Sequence, residues 1–446
     1  MQSLYAWRRP GEGEGEGEGE GGGGGGTTAC TTYRHYISIM GSAGVWKPVL
    51  LLGLCLMLLA ATVVTHLLWR MSSVSLFHGT LFVPVDMYTQ LLTMAATPES
   101  VFGGFQNDED GDGGRPELVW EEVAEAPVAR LDGAAVQIGQ LFYVFAGYAS
   151  IDEVHSHVDV YNLSSNTWES SFAMPAAMAH SHLGMATDGR FIYIVSGQVG
   201  SQCRGPTARN FVLDTQTRSW SELLPLPSPR YAPATQLWRG RLHVMGGSKE
   251  DRQQPAHEHW SIPVRNGKVL ESEWSDEIPI PRGGPHRACV VVEDDLYVIG
   301  GQEGDFKAKP GSLNFKCSRK KEVVYSDVHK LAKRARRWRQ LPPMLKPISH
   351  IEFAWVTFNR SIVIIGGSTM NNPLTKKMVL LGDIFHFDTQ TKVWRKLGQM
   401  PYRGKTVLAA YWEGWLYFTA GQRDKGPSDP TPRKIMAKTW RTKLVI

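Results

Sequence analysis

A short apolar strand that ends in a small residue and a glycine occurs six times in the C-terminal part of this 446-residue chain. The final glycines of these copies, spaced by 50, 50, 54, 66 and 54 residues, are Gly147, Gly197, Gly247, Gly301, Gly367 and Gly421. A second mark, out of phase with the first, is formed by Trp120, Trp168, Trp220, Trp274, Trp338 and Trp394. Two marks that recur together at this spacing indicate one supersecondary unit, which buries its apolar surface only against neighbouring copies.

The order of features within the unit resembles the kelch repeat. The best copies are Asp159-Val160-Tyr161, Asp214 with Trp220, and Phe387-Asp388-Thr389 before Trp394, whereas the third unit has Glu258-His259-Trp260 where Asp is usual. The resemblance covers residues 120–446, and the whole chain resembles plant kelch-repeat proteins that carry one N-terminal transmembrane span. It implies an all-β fold, a six-bladed kelch-type β-propeller with one four-stranded blade for each unit.

The two ends of the repeat region complement each other. Trp120 begins WEEVAEAP, which matches the fourth-strand segment WESSFAMP at Trp168 but has no glycine-ended strand before it. At the C-terminus, AKTWRTKLV aligns with third strands such as GDIFHFDTQ. We therefore expect residues 120–126 to complete the sixth blade and close the ring.

The first quarter of the chain differs in composition from the repeats. Residues 1–46 contain the Glu/Gly alternation and the run Gly21–Gly26, which have nothing apolar to bury and are predicted to be disordered. Val49–Leu68 has twenty residues without Asp, Glu, Lys or Arg, enough for a helix to cross a bilayer. Residues 47–70 are therefore predicted to be a signal-anchor helix, 71–118 a stem, and 119–446 the propeller. A cleaved signal peptide is the alternative.

The charges around the predicted span indicate its orientation. Arg34 and Lys47 precede it and Arg70 follows it, a bias that favours a cytosolic N-terminus and a lumenal propeller. Two glycosylation sequons, at Asn162 and Asn359, agree with that orientation. We expect a single-pass glycoprotein of the Golgi or endosomal system.

The formal net charge of +5 is unevenly distributed. Residues 301–340 hold twelve Lys or Arg against four Asp or Glu, so the remainder is slightly acidic and the whole chain is not expected to bind nucleic acid. The basic segment is either a solvated loop and outer strand or an anion-binding surface.

Catalytic motifs are absent from the sequence. It contains no GxSxG, HExxH or phosphate-binding loop, and its five cysteines form no CxxC pair. We predict no metal, no cofactor and no catalytic residue, although the family fold also occurs in carbohydrate-active enzymes such as galactose oxidase. An oxidase or epimerase-like enzyme that uses the propeller as a scaffold therefore remains the alternative to a binding protein.

Family resemblance places partners at one mouth of the propeller channel, lined by residues just before each first strand. Counting along the repeat gives Arg130, His180, Arg230, His286, His350 and Arg403. Such a cationic ring is expected to bind an acidic ligand, either a protein segment or an acidic glycan. The alternative is that these arginines brace neighbouring blades. The predicted function is a membrane-anchored, protein- or glycan-binding module.

Overall fold

The computed structural model describes residues 118–150, 152–201, 204–308, 321–424 and 434–444, and within these ranges the secondary structure consists of β-strands. The predicted tail, the predicted membrane span and nearly all of the predicted stem lie outside the described residues. Within the described part of the chain, no helix is long and apolar enough to cross a membrane.

The strands form six antiparallel blades that follow one another along the chain. The first described strand, β1 (Trp120–Val123), belongs to the last blade. Blade 1 contains β2 (Ala134–Ile138), β3 (Leu141–Phe145), β4 (His157–Asn162) and β5 (Thr167–Ala173). Blade 2 contains β6 (Gly184–Thr187), β7 (Phe191–Val195), β8 (Asn210–Asp214) and β9 (Ser219–Leu223). Blade 3 contains β10 (Ala234–Trp238), β11 (Arg241–Met245), β12 (His259–Arg265), β13 (Lys268–Val269) and β14 (Ser275–Asp276).

The second half of the ring carries extra two-residue strands. Blade 4 contains β15 (Ala288–Val292), β16 (Asp295–Ile299), the ribbon β17 (Gln302–Glu303) with β18 (Val323–Val324), then β19 (Val328–Leu331) and β20 (Arg339–Leu341). Blade 5 contains β21 (Trp355–Phe358), β22 (Ser361–Ile365), the ribbon β23 (Ser368–Thr369) with β24 (Val379–Leu380), then β25 (Asp383–Asp388) and β26 (Val393–Gln399). Blade 6 contains β27 (Gly404–Lys405), β28 (Leu408–Trp412), β29 (Trp415–Thr419), β30 (Gln422–Arg423), β31 (Lys434–Ile435) and β32 (Thr439–Lys443). The predicted six-bladed propeller is confirmed.

The burial of a strand within its blade depends on how far the strand lies from the propeller axis. First strands of neighbouring blades contact one another around a central channel. The second strands, such as β3 and β22, are buried along nearly their whole length because blades cover both of their faces. The fourth strand β5 alternates between exposed and half-buried residues, as expected for the outer edge. The core therefore consists of the interfaces between blades.

The alternating strand directions give the propeller two different faces. Hairpins that join first to second strands and third to fourth strands lie on one face, which we call the hairpin face. Connections from second to third strands and links between blades lie on the other, which we call the ribbon face because it carries β17–β18, β23–β24 and β27–β30–β31.

The ring is closed by strands from both ends of the repeat region. Strand β1 pairs with β32 in antiparallel register, from Trp120 opposite Thr442 to Val123 opposite Thr439. The Thr442 hydroxyl adds a hydrogen bond to the Val119 carbonyl at 2.7 Å. The predicted closure by the segment at residues 120–126 is confirmed.

The repeated tryptophans connect each blade to the blade before it. In all six, the indole N–H donates to a backbone carbonyl near the end of the preceding fourth strand. The pairs are Trp120–Gln399 at 2.7 Å, Trp168–Ala124 at 3.1 Å, Trp220–Ala173 at 3.2 Å, Trp274–Pro225 at 2.9 Å, Trp338–Ile278 at 3.0 Å and Trp394–Pro342 at 3.1 Å. A smaller apolar residue would lack both the reach and the donor, so the repeat retains tryptophan.

The repeated glycines stand where the second strand leaves the channel. All six have positive φ, between 73° and 100°. A Cβ at Gly147 would lie 2.9 Å from the Leu131 carbonyl oxygen of its own blade, while the Gly147 N–H donates to the His180 carbonyl of the next blade at 2.7 Å. Both the backbone angle and the close approach require glycine.

Candidate functional site

A ring of structurally equivalent residues surrounds the axis just before the first strands. Its members share a positive φ of 47° to 64° and are Asp132, His182, Ala232, His286, His350 and Thr406. Backbone hydrogen bonds link neighbours in this ring, including His182 N–H to the Asp132 carbonyl and Ala232 N–H to the His182 carbonyl at 3.1 Å. The residue at this position of each blade therefore lies at the axis, beside the equivalent residues of the neighbouring blades.

The six residues predicted from sequence spacing do not occupy one equivalent position. Arg130, His180 and Arg230 each precede their first strand by four residues, whereas His286 precedes β15 by two. His286 and His350 belong to the axial ring, and Arg403 belongs to neither set. The structure thus separates the six into different environments, and their joint role in binding stays a prediction.

Arg130 and Arg230 are buried inside the protein. Arg130 forms an ion pair with Asp159 of the same blade and donates to the Ala146 carbonyl at 3.0 Å. The Arg230 guanidinium lies 4.3 Å from the centre of the Trp260 ring and 3.1 Å from Glu258. These side-chain contacts lie within the arginine's own blade, so they stabilise that blade and do not show the predicted bracing between neighbouring blades.

The other predicted cations outside the ring are His180 and Arg403. His180 is buried, accepts the Gly200 N–H at 3.1 Å through Nδ1, and has its pKa lowered by burial. Arg403 is exposed on the ribbon face and pairs with Asp424 at 3.3 Å. Of the six predicted binding residues, Arg403 is the one whose side chain is exposed.

At the axis, six ionisable side chains form a buried group that we call the axial cluster: Asp132, His182, Arg252, His286, Asp305 and Glu352. His286 is central to it, because its Nδ1 contacts Glu352 and its Nε2 lies 3.3 Å from Asp305. Burial alone would lower the pKa of His286, but the two carboxylates outweigh burial and raise the pKa to about 9. His286 is therefore an imidazolium at neutral pH. The His350 ring stacks on it, with the two ring centres 4.1 Å apart.

Arg252 enters the axis from the blade-3 loop at residues 249–256. Its guanidinium donates to the Gln198 side chain at 2.8 Å and the Tyr231 hydroxyl at 2.6 Å, and lies 3.7 Å from Asp305. Burial would raise the pKa of Asp305, yet Arg252 and His286 hold it well below its usual range. Arg252 is thereby held at the axis by residues of blades 2, 3 and 4.

Asp132 and His182 form the least satisfied part of the axial cluster. Their side chains lie 3.5 Å apart, and Asp132 Oδ1 has no hydrogen-bond partner among the described residues. Burial raises the pKa of Asp132 and lowers that of His182 well below its ordinary value. Arg252, Asp305 and Glu352 were missed by reasoning from the sequence, because none of them recurs with the repeat.

The ribbon face of blades 4 and 5 carries unusual exposed apolar side chains. Four of the seven large exposed apolar residues in the described ranges are here: Val323, Leu345, Met370 and Leu374. Asn371, beside Met370, donates to Glu322, beside Val323, at 2.9 Å, which joins the two ribbons. We call these four side chains the apolar patch.

Both predicted glycosylation sequons lie on the hairpin face. Asn162 ends β4 and begins a tight hairpin, and exposed Asn359 lies in the turn between β21 and β22 with φ of 51°. Their attachment of glycans stays a prediction. Within the described ranges, no group of three or more His, Cys, Asp or Glu side chains is arranged to hold a metal ion.

Comparisons with known proteins agree on the repeat. Residues 132–367 match the family described as the KLHDC2/KLHL20/DRC7 Kelch-repeats domain. The chain is 59% identical over 329 residues to "Kelch repeat-containing protein At3g27220" of Arabidopsis thaliana, which covers 74% of this chain and 77% of that protein. It is 26% identical to human "Kelch-like protein 34" over 184 residues, 41% of this chain and 27% of that protein.

A solved structure shares the fold. The "Structure of YjhT" superposes with a TM-score of 0.54 and 15% sequence identity, and the match covers 71% of this chain and 95% of that one. At this identity the likeness concerns the fold alone.

Proposed function

From the premise that this chain belongs to the kelch-repeat family, we propose that it is a membrane-anchored binding module whose ribbon face captures an acidic segment of a partner protein. Propellers of this family are typically protein-interaction modules. The observation that carries the proposal is the apolar patch on the ribbon face of blades 4 and 5, with Leu374 83% exposed and Met370 60% exposed. Large apolar side chains that are exposed together on one face are typical of protein interfaces.

The charge around the apolar patch favours an acidic partner. Lys321, Lys376 and Lys377 are exposed beside it, and the described residues offer them no ion-pair partner. Lys346 adjoins Leu345 but pairs with Asp383 at 3.1 Å. A segment with acidic and apolar residues would bury the patch and neutralise the free lysines.

The proposal is tested by comparing two double variants in cells. Leu374→Asp with Lys377→Glu alters the apolar patch, and Val393→Asp with Lys392→Glu makes the same chemical change on the hairpin face, where Val393 is also exposed. Proximity labelling from the full chain should lose its most enriched proteins in the first variant and keep them in the second. Both variants should unfold at the wild-type temperature. Retention of the same proteins by the first variant would contradict the proposal.

Membrane anchoring and a lumenal propeller form part of the same proposal. Their support is the uncharged segment Val49–Leu68 and the two sequons, which stand at hairpin turns. Carbonate extraction should leave the full chain in the membrane fraction, and glycosidase should increase the mobility of the wild type but not of an Asn162→Gln, Asn359→Gln variant. Digestion of the propeller by protease in intact microsomes would reverse the assigned orientation.

A further inference from the structure

The half of the channel that faces the hairpins is an open cavity. It has a volume of about 520 Å³ and is lined mainly by the first strands of blades 1, 2, 5 and 6. Phe353 lines this cavity and also the small cavity beside Asp132 and His182, so the axial cluster lies beyond its inner end. A volume of this size lies within the range of small-ligand sites.

Aromatic rings form much of the wall and are held in place. Phe353, Trp355, Tyr411 and Trp412 all line the cavity. The Trp355 indole donates to the Glu352 carbonyl at 2.7 Å, and Tyr411 stacks on Phe358 with ring centres 4.3 Å apart. The wall is therefore preformed, and a ligand would not have to order it.

Hydrogen-bonding groups stand among these rings. Gln137 is fixed across the joint between blades 1 and 6 by two bonds to the Tyr411 backbone, at 2.8 and 3.0 Å. The Thr357 hydroxyl, the Tyr411 hydroxyl and the Glu413 carboxylate have no side-chain partner within the described ranges. The cavity thus combines apolar ring faces with polar groups that remain available to a ligand.

The charges select against ionic ligands. Among the described residues that line the cavity there is no Lys or Arg, so an acidic sugar would have no counter-charge from them. Among acidic groups, Glu413 is exposed at the rim, Glu352 is committed to His286, and the pKa of Asp132 is raised by burial. An organic cation would therefore find aromatic faces but no uncommitted buried carboxylate.

We propose that the hairpin-face cavity binds a neutral sugar, with an apolar face of the pyranose ring against Trp355 and its hydroxyls directed to Thr357, Tyr411 and Glu413. A pyranose has C–H faces that suit aromatic rings and a rim of hydroxyls that suits carboxylate and hydroxyl acceptors. The cavity lies on the face opposite the apolar patch. A test of sugar binding can therefore fail or succeed independently of the test of partner binding on the ribbon face.

The test uses the full chain in a detergent that contains no sugar. Tryptophan fluorescence and saturation-transfer NMR would be followed during titration with glucose, galactose, mannose and their methyl glycosides. Saturable binding is expected for at least one of them, with glucuronic acid and tetramethylammonium inactive. Ala409→Met, which fills the cavity and leaves the polar groups intact, should abolish binding, and Glu413→Gln should weaken it about three- to tenfold.

Three outcomes would overturn the proposal. One is the absence of saturable binding by every neutral sugar in the folded wild type. Another is unchanged binding by Ala409→Met, which would put the sugar elsewhere. The third is stronger binding of tetramethylammonium or glucuronic acid than of any neutral sugar, which would assign the cavity to an ionic ligand. Thermal unfolding of each variant identifies any change that arises from loss of the fold.

Discussion

Replacing Trp120 with alanine should open the ring at the joint where the two ends of the repeat region meet. Trp120 lies on β1, which no hairpin connects to its partner strand β32. Its indole donates to the Gln399 carbonyl of blade 5 at 2.7 Å and its ring packs edge-on against Phe418 at 5.1 Å. The side chain therefore attaches β1 to blade 5 as well as to its own blade.

The cost follows from these contacts. Truncation of a buried tryptophan to alanine costs about 3–5 kcal/mol, and Trp120 is half-buried, so about 3 kcal/mol is expected. The lost hydrogen bond accounts for about 1 kcal/mol of this free energy. Trp120→Phe keeps most of the ring and should cost nearer 1 kcal/mol.

Trp220→Ala is the matched control, because Trp220 is also half-buried and donates to Ala173 at 3.2 Å. Its strand β9 is followed directly by blade 3, so both of its ends stay covalently held within the ring. Urea unfolding of a fragment spanning 111–446 should show a similar loss of free energy for both alanine variants. A Glu-specific protease should cut at Glu121 and Glu122 much faster in Trp120→Ala alone, because in the wild type these residues pair with Arg441 and Lys438.

Two results would refute this reasoning. An unfolding free energy within about 0.5 kcal/mol of wild type for Trp120→Ala would mean that the indole clamp does not stabilise the joint. Equal rates of proteolysis in the two alanine variants would mean that β1 stays attached without the clamp.

Further predictions concern the glycine mark and the axial cluster. Gly147→Ala should cost at least 2 kcal/mol in urea unfolding because its Cβ meets a carbonyl oxygen, whereas Gly139→Ala, with φ of 57° and open space around it, should cost about 1 kcal/mol. Arg252→Met should cost about 3–5 kcal/mol in the same assay because it leaves buried polar partners unpaired, and a wild-type melting curve would contradict this. Because the folded-state pKa of His286 is raised to about 9, its contribution is complete below pH 6.5 and is lost as pH rises through 9. About 3 kcal/mol of unfolding free energy should disappear over that range in the wild type, and His286→Gln should lack this dependence.

The fold was predictable because its determinants recur. Positive φ and close backbone contact require glycine at Gly147 and its five counterparts, and the reach to the preceding blade requires tryptophan at Trp168 and its counterparts. Each requirement is repeated six times, so the pattern stands out from one sequence without knowledge of any contact. The closing strand was predictable for the same reason, since WEEV carries the tryptophan of a fourth strand.

The candidate site was less predictable because its side chains come from parts of the chain that do not repeat. Counting placed Arg130, His180 and Arg230 correctly relative to one another, since blades 1 to 3 have equal links before their first strands. In blade 5 the equivalent residue, Ile348, precedes its first strand by seven residues rather than four. Counting along the sequence therefore selected different structural positions in different blades. It grouped His286, a member of the axial ring, with Arg130, His180 and Arg230, which lie four residues before their first strands.

The buried axial cluster lies between the two faces of the propeller. Arg252, whose own φ is 64°, reaches the axis from the blade-3 loop, and Asp305 comes from a different loop, so neither has a signature in the repeat. These side chains pair with one another at the axis, and the features that the described residues offer on the ribbon face are the apolar patch and the exposed lysines around it. The cavity is open at the hairpin face, where the first strands contribute aromatic rings and hydroxyls that have no side-chain partner among the described residues. A protein surface on one face and a small-molecule cavity on the other are thus separated by a buried ionic layer, so a variant that alters one can leave the other intact.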